Sequence, residues 1–500
     1  MSYLLGLDIG TSGVKALLLS DQGRVAATAG EEYPLSTPSS GWAEQDPADW
    51  WQAVITVINK LLAKNDINGS EIEAISLSGQ MHSSVFVDKN NQVIRPAILW
   101  SDTRTDRQCK EIYERVNGLD KLISYVSNPA LEGFTAPKIM WLKQNEPENY
   151  NKVDKVLMPK DYIRFKLTDN IYTEVSDAAG TLLFDVENKK WSEEMIDHLK
   201  LDQKILPPVL DSTGVAGEIT GTVAKKTGLQ KGTPVVAGGA DNACGAVGSG
   251  IIQPGRVMVS IGSSGVVLAQ TEKPSADSKG RIHLFNHALP AGWYMMGVML
   301  SAGMAFNWLR ESVLNDEYNL AELNQMAASV MPGSEDLLFL PYLYGERTPH
   351  GDADARAVFF GLSGKHKQAH LVRSVMEGVS FGLKDSLRLI EEQGVDIEQI
   401  RVIGGGAKSK VWQQILADIL GYQISLLNVE EGPAFGAAII AGVGTGVFDG
   451  FEEVEKEIIE VKKTISPQTN NVELYDKYYK LYQKLYLSLQ MRYKELTNIK

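Results

Sequence analysis

Positions 9–14, Ile-Gly-Thr-Ser-Gly-Val, recur at 261–266 as Ile-Gly-Ser-Ser-Gly-Val, an offset of 252 in a chain of 500 residues. Each copy sits between two apolar runs, LLGLDI and VKALLL around the first, VMVSI and VVLA around the second. An apolar run, a turn of small residues and a second apolar run predict a β-hairpin. Glycines in such a corner permit positive φ. They also let backbone N–H groups and the hydroxyls of Thr11, Ser12, Ser263 and Ser264 approach a ligand's oxygens. Phosphate is the natural ligand, so Gly10, Thr11, Ser12, Gly262, Ser263 and Ser264 are candidate nucleotide contacts. Two ordinary Gly-rich hairpins are the plain alternative. Repetition at half-chain spacing favours two related domains closing on one nucleotide, and 500 residues exceed what a single core fills.

The copies differ where it matters most, because Asp8 is matched by Ser260. A carboxylate beside phosphates repels them: at an effective dielectric of 20, two unit charges 4 Å apart cost about 4 kcal/mol. An acid kept at such a turn therefore implies Mg²⁺ between the two.

A formal charge of −13, with no long Lys/Arg block, argues against nucleic acid or an anionic membrane as the main partner. No apolar run is long enough to span a bilayer, and MSYLLGLDIG reads as a strand rather than a signal peptide. Two cysteines, Cys109 and Cys244, make no disulfide framework, so a cytoplasmic protein is expected.

Along the chain, Asp46-Pro47 opens an amphipathic helix to about Leu62. A strand from Glu71 ends at Ser78-Gly79-Gln80-Met81-His82. A second, Ala97–Trp100, ends at Ser101-Asp102-Thr103-Arg104. Ligands of open α/β sheets lie outside strand ends, which makes Gln80, Met81, His82, Trp100, Asp102 and Arg104 candidate substrate contacts. Trp100 as core, Asp102 as a helix cap and Arg104 as a solvated charge are the alternatives. Residues 150–210 read as short helices and charged loops without evident chemistry. A strand from Thr233 breaks at Gly238-Gly239 and presents Asp241 and Asn242 before a helix of small residues. Asp241 reads as a catalytic carboxylate, as a helix cap, or as both. His287–Arg310 predicts a strand and then a buried helix. Gly404-Gly405-Gly406-Ala407 opens the helix from Lys410, a backbone fit to lie under a base or phosphate. The small-residue helix from Gly432 is expected to pack on that loop. Tyr475, Tyr478, Tyr479, Tyr482 and Tyr486 recur at helical spacing and read as a docking face within the segment to Lys500.

With both glycine corners, Asp241 and the Gly404 loop placed, the chain from Tyr3 to Gly446 resembles the FGGY family of carbohydrate kinases. The resemblance rests also on Gly79-Gln80-Met81-His82, Gly238-Gly239-Ala240-Asp241-Asn242, His287-Ala288-Leu289-Pro290, Met299-Leu300-Ser301-Ala302-Gly303 and Gly345-Glu346-Arg347-Thr348-Pro349. It implies an α/β fold of two actin-like (ribonuclease H-like) ATPase domains with a nucleotide cleft between them. The implied limits are 1–250 for a sugar-binding domain, 251–450 for a nucleotide-binding domain and 451–500 for a helical extension. The motif set is most similar to family members that phosphorylate D-xylulose, which implies transfer from MgATP to its 5-hydroxyl. The implied roles are Asp241 as catalytic base, and Met81, His82, Asp241 and Asn242 as sugar contacts. Asp8, with Asp241, organises metal or phosphate, and Gly404, Gly405, Gly406 and Ala407 are nucleotide contacts. Gluconate, ribulose or glycerol as acceptor stays open within the family, as does a homodimer. The rival outside it is an actin-like ATPase that drives assembly, for which the polar set at Gln80, His82, Asp102 and Asp241 has no evident use.

Overall fold

The computed structural model describes residues 2–428 and 432–499, so Lys500 of the C-terminal segment lies outside them. The chain forms two compact units, each discontinuous in sequence. Residues 1–252, 272–294 and 431–460 make the first; 253–271, 295–430 and 461–500 make the second.

The first unit is built on a six-stranded sheet in the order Val215–Glu218, Pro234–Ala240, Ile72–Gly79, Tyr3–Ile9, Gly13–Ser20, Val25–Glu32. The three central strands read as apolar runs because helices cover both faces. On one face the helix Pro47–Asn65, capped by Asp46 accepting from Ala48 N at 2.9 Å, buries Trp50, Val54, Val57 and Ile58 against Leu5, Leu7 and Ile9. On the other lies Gly432–Thr445, the helix expected to pack on the Gly404 loop, which belongs to the second unit. Within the first unit it packs on the strand Tyr3–Ile9 and the helix Asp241–Gly248. A Cβ on Gly6 would stand 2.0 Å from Ala434 O, and one on Gly436 1.8 Å from Cys244 O. Its small residues thus serve backbone-to-backbone packing under the first glycine corner.

The second unit carries a sheet in the order Trp293–Met299, Gly265–Thr271, Arg256–Ile261, Gln399–Ile403, Ile424–Leu427, Val461–Ile465. In both units an antiparallel hairpin is followed by two parallel neighbours and an antiparallel edge strand. The duplication read from the glycine corners is therefore one of topology. The corners are not superposable residue by residue: Ile9 pairs with Val14, but Ile261 pairs with Gly265, one residue tighter. Gly265 is wedged where a Cβ would meet Leu383 at 2.9 Å.

The tyrosine stripe docks within the second unit. On the helix Thr469–Thr497, Tyr475 donates to Glu377 at 2.6 Å, Tyr479 to Asp385 at 2.5 Å, and Tyr482 accepts from Tyr342 at 3.0 Å. The helix expected to be buried after His287 is the short Gly303–Trp308, with Met304 and Asn307 exposed, because one side of it opens on a pocket. Residues 214–228 hold a four-residue strand and a helix, Gly221–Thr227, capped by Thr220. Among the described residues no helix is long and apolar enough to cross a membrane.

Candidate functional site

In the first unit Asp241 is the first residue of the helix Asp241–Gly248, at the end of the strand Pro234–Ala240. Ala240 takes the cap position, and the Asp241 Oδ1 accepts from the first-turn Asn242 N at 2.7 Å and from Asn242 Nδ2 at 3.0 Å. The glycines before it have a packing reason. Gly238 has φ +82, and a Cβ there would lie 1.9 Å from Leu77 O, so the strand slips register between Val236 and Gly239 and presents the acid. Burial and then the neighbouring Asp8 push the Asp241 carboxyl up to about 7, against the two bonds from Asn242.

Asp8 stands on the strand Tyr3–Ile9 between Lys15 and Ser78. Burial raises its carboxyl despite both neighbours, and its Oδ1 is buried without a hydrogen-bond partner among the described residues. An orphaned carboxylate oxygen on a residue whose charge also raises a second carboxyl is an arrangement that a divalent cation would relieve. Among the described residues no group of three or more His, Cys, Asp or Glu gathers into a metal cage. Mg²⁺ needs none, since it takes one or two carboxylates with substrate phosphates and water. The pair Asp8 and Asp241 fits such an ion.

The first corner borders a hollow of about 790 Å³ lined by Asp8, Gly10, Thr11, Ser12 and Gly13. Its shape is held from behind by Tyr33 and Gln45, which the sequence did not single out, and by Gln80 and Trp100, which it did. Tyr33 donates to Gly10 O, and Gln45 Nε2 donates to Thr11 O at 2.8 Å. Gln80, itself buried, reaches Gly10 O at 3.4 Å and accepts from Ser83. Trp100 is 39% exposed rather than core, and its indole donates to Thr11 Oγ1 at 2.9 Å.

Met81 places its sulfur 3.6 Å from Asn242 Nδ2 and 3.9 Å from the hydroxyl of Tyr294, a buried residue the sequence reading passed over. His82 has φ +65, and its Nδ1 lies 2.6 Å from Gly180 O. A carbonyl only accepts, so Nδ1 carries the hydrogen. The His82 ring packs 4.5 Å from Phe134.

Asp102 and Arg104 are brought to one another. Both Asp102 oxygens are occupied, by Arg104 N, Nε and Nη2 and by Ala43 N at 2.6 Å. Arg104 also pairs with Glu44 at 2.8 Å and lies 3.5 Å over the Trp42 ring. This side-chain pair is buried, so neither the cap nor the solvated-charge alternative describes it.

In the second unit a pocket of about 410 Å³ is lined by Gly262, Ser263, Gly405 and Gly406, with Phe306 and Trp412 as its aromatic wall. Gly404, Ala407 and Ser264 shape the loops instead of lining this space. Gly404 has φ +87, and a Cβ there would lie 2.6 Å from Ile261 O. Ala407 N donates to Gly404 O at 3.1 Å, and Ser264 O accepts from Gly262 N at 3.0 Å. Ser409 caps the helix Lys410–Leu420, aiming its N-terminus from the pocket's edge. Phe306 and Trp412 stand 5.5 Å apart. Their sequence signal was only two aromatics after small-residue turns.

Residues 3–248 match the N-terminal domain and 257–445 the C-terminal domain of the FGGY family of carbohydrate kinases. A xylulose kinase of Bacillus subtilis is 41% identical over 486 residues, 97% of each chain. A solved ligand-bound xylulose kinase of Lactobacillus acidophilus superposes with TM-score 0.94 at 27% identity, covering 99% of this chain and 100% of the other. A gluconate kinase of the same organism also gives 0.94 at 27%, covering 99% of each. Equal likeness to proteins of two substrate names means that fold alone does not choose the acceptor.

Proposed function

Because the chain belongs to the FGGY family of carbohydrate kinases, we propose that it transfers the terminal phosphoryl group of ATP to the 5-hydroxyl of D-xylulose, giving D-xylulose 5-phosphate. The observation that carries this reading is Asp241, a half-buried carboxylate at a strand end, bonded to Asn242 whose amide lies against the Met81 sulfur. The 41% identity to a xylulose kinase over nearly the whole chain supports this acceptor over others.

Phosphoryl transfer runs through a loose transition state, so the protein's contribution is alignment and charge neutralisation. In this reading Asp241 orients the sugar hydroxyl and takes its proton late, as a positioned carboxylate can. Asn242, Met81 and His82 hold the sugar's remaining hydroxyls and carbon face. Trp100 and Gln80 keep the Gly10 corner in shape for the phosphates. The second unit's pocket takes the nucleotide, its base against Phe306 and Trp412 and its phosphates at Gly262, Ser263, Gly405 and Gly406. Mg²⁺ held by Asp8 and Asp241 would supply the positive charge that lets carboxylates and phosphates share one place.

Gluconate is the second reading, favoured only by the fold. Its carboxylate would want a cation, and Arg104 is already engaged by Asp102, Glu44 and Trp42. A cytoplasmic location and a homodimer complete the proposal. The first is supported by two unpaired thiols and the ATP requirement. Fractionation and sedimentation test them. A coupled ADP-release assay across D-xylulose, D-ribulose, L-ribulose, D-gluconate and glycerol tests the whole. D-Xylulose should give the highest kcat/KM, and ATP turnover indifferent to every sugar would leave the actin-like ATPase reading instead.

A further inference from the structure

Residues 160–177 contain Lys160, Asp161, Arg164, Glu174 and Asp177, within the stretch whose sequence reads as short helices and charged loops without evident chemistry. All five are buried, none more than 1% exposed. Lys160 Nζ lies 2.7 Å from Asp161, 2.9 Å from Asp177 and 3.2 Å from Glu174, and Arg164 lies 3.0 Å from Asp161. Burying this many ionised groups is costly even when they are paired, so a cluster of this kind is poor evidence for stability as its purpose.

Its connections outward point elsewhere. Arg164 donates to Ala237 O at 2.6 Å, on the strand that ends in Asp241. Glu174 accepts from the backbone of Ser176 and Asp177, fixing the start of the short helix Val175–Ala179, and from Ser176 Oγ at 2.8 Å. Ser176 Oγ in turn accepts from Ala240 N at 2.9 Å, the residue immediately before Asp241. At the other end of the same helix, Gly180 O takes the His82 hydrogen, and a Cβ on Gly180 would stand 3.0 Å from His82 Nδ1 and 3.2 Å from Met81 Cε. One five-residue helix therefore touches both the peptide before the carboxylate and the ring and thioether opposite it.

We infer that Glu174 and Ser176, fixed by Lys160, are positioning residues: through the helix Val175–Ala179 they hold Asp241 and the Met81-His82 pair in one rigid frame for the acceptor sugar. The inference rests on the kinase reading above and names parts of that same site. Errors of an ångström in such a frame are felt in the transition state more than in ground-state binding.

The test compares Ser176→Ala with Ser212→Ala. Ser212 Oγ also donates to Glu174, at 2.7 Å and equally buried, but does not reach Ala240. S176A should lower kcat on D-xylulose about tenfold while the KM for MgATP moves less than about twofold. S212A should lose a similar amount of Tm and keep kcat within about twofold. Equal losses of kcat in the two variants, or loss of Tm alone in S176A, would overturn the inference. Should S176A not fold, Gly180→Ala tests the other exit, with a sugar KM raised at least about fivefold expected and an unchanged sugar KM counting against the frame. A wild-type chain stimulated by sugar beside an unaffected S176A defeats the frame alone. A wild-type chain stimulated by no sugar defeats the kinase reading, and the frame with it.

Discussion

Lys138 Nζ donates to the carbonyl of His82 at 3.0 Å and to that of Gly133 at 2.6 Å, fully buried and, among the described residues, with no salt bridge of its own. Thr135 Oγ1 donates to the same His82 carbonyl at 3.0 Å. A residue at φ +65 costs conformational energy, and these two donors hold it there.

Burial pushes the Lys138 ammonium down from 10.5 to about 7, and the Asp102 charge only partly opposes the shift. Between those values the unfolded chain holds a proton that the folded chain has released, so this group's contribution to stability grows as pH rises. It is complete above 10.5 and lost as pH falls to about 7. Urea unfolding at pH 7, 8 and 9 should show wild type gaining on Lys138→Met at each step. Parallel curves would contradict it.

Replacing Asp241 by Asn keeps the shape and removes the proton acceptor. We expect kcat to fall roughly 10²–10⁴-fold, with the sugar's Kd by calorimetry within about threefold. Near-normal turnover would reject Asp241 as the base.

Arg104→Met leaves Asp102 buried without its partner, a change that costs about 3–5 kcal/mol in comparable cases. The double variant with Asp102→Asn should recover more than half of that loss. Chemical denaturation of the four chains in the cycle measures it, and simple additivity would show the two residues not to be coupled.

Gly404 and its neighbour should part company. Gly404→Ala meets Ile261 O at 2.6 Å in a φ +87 conformation, whereas a Cβ on Gly405 comes no nearer than 4.0 Å to that oxygen. G404A is expected to lose about 1–3 kcal/mol and to raise the KM for ATP. G405A should stay close to wild type in Tm. Calorimetric scans with and without ADP distinguish the two.

Glu346 Oε1 accepts from Leu300 N at 2.9 Å and Arg347 N at 2.8 Å, and burial raises the carboxyl to about 8 in spite of them. A raised carboxyl contributes stability that is complete below 4.5 and is lost as pH climbs through about 8. Glu346→Gln should therefore flatten the fall of Tm between pH 5 and 9. An unchanged slope would place the titration elsewhere.

The glycine corners, the Asp8 and Ser260 difference and the Gly238-Gly239 break before Asp241 were legible because each is local. A hairpin turn and a backbone that must pass close to its neighbour can be met by few residue types, so the residues announce the geometry. The tyrosine stripe was legible for the same reason, through helical spacing. Less legible were features whose meaning depends on what packs against them. The Gly432 helix announces close packing by its small residues, but not that Gly6 and Cys244 are what it packs against. Asp102 and Arg104 look like ligand-facing charges until Glu44 and Trp42 arrive from earlier in the chain.

The sequence by itself determined two homologous sheets, two phosphate-type corners and one acid aimed out of a strand end. Only the tertiary structure decided which charges are buried. A run of Lys, Asp, Arg and Glu has the same composition in solvent as in a core. Whether Lys160, Glu174 and Asp177 meet is set by how the helix Pro159–Thr168 and the helix Val175–Ala179 pack, not by any local propensity.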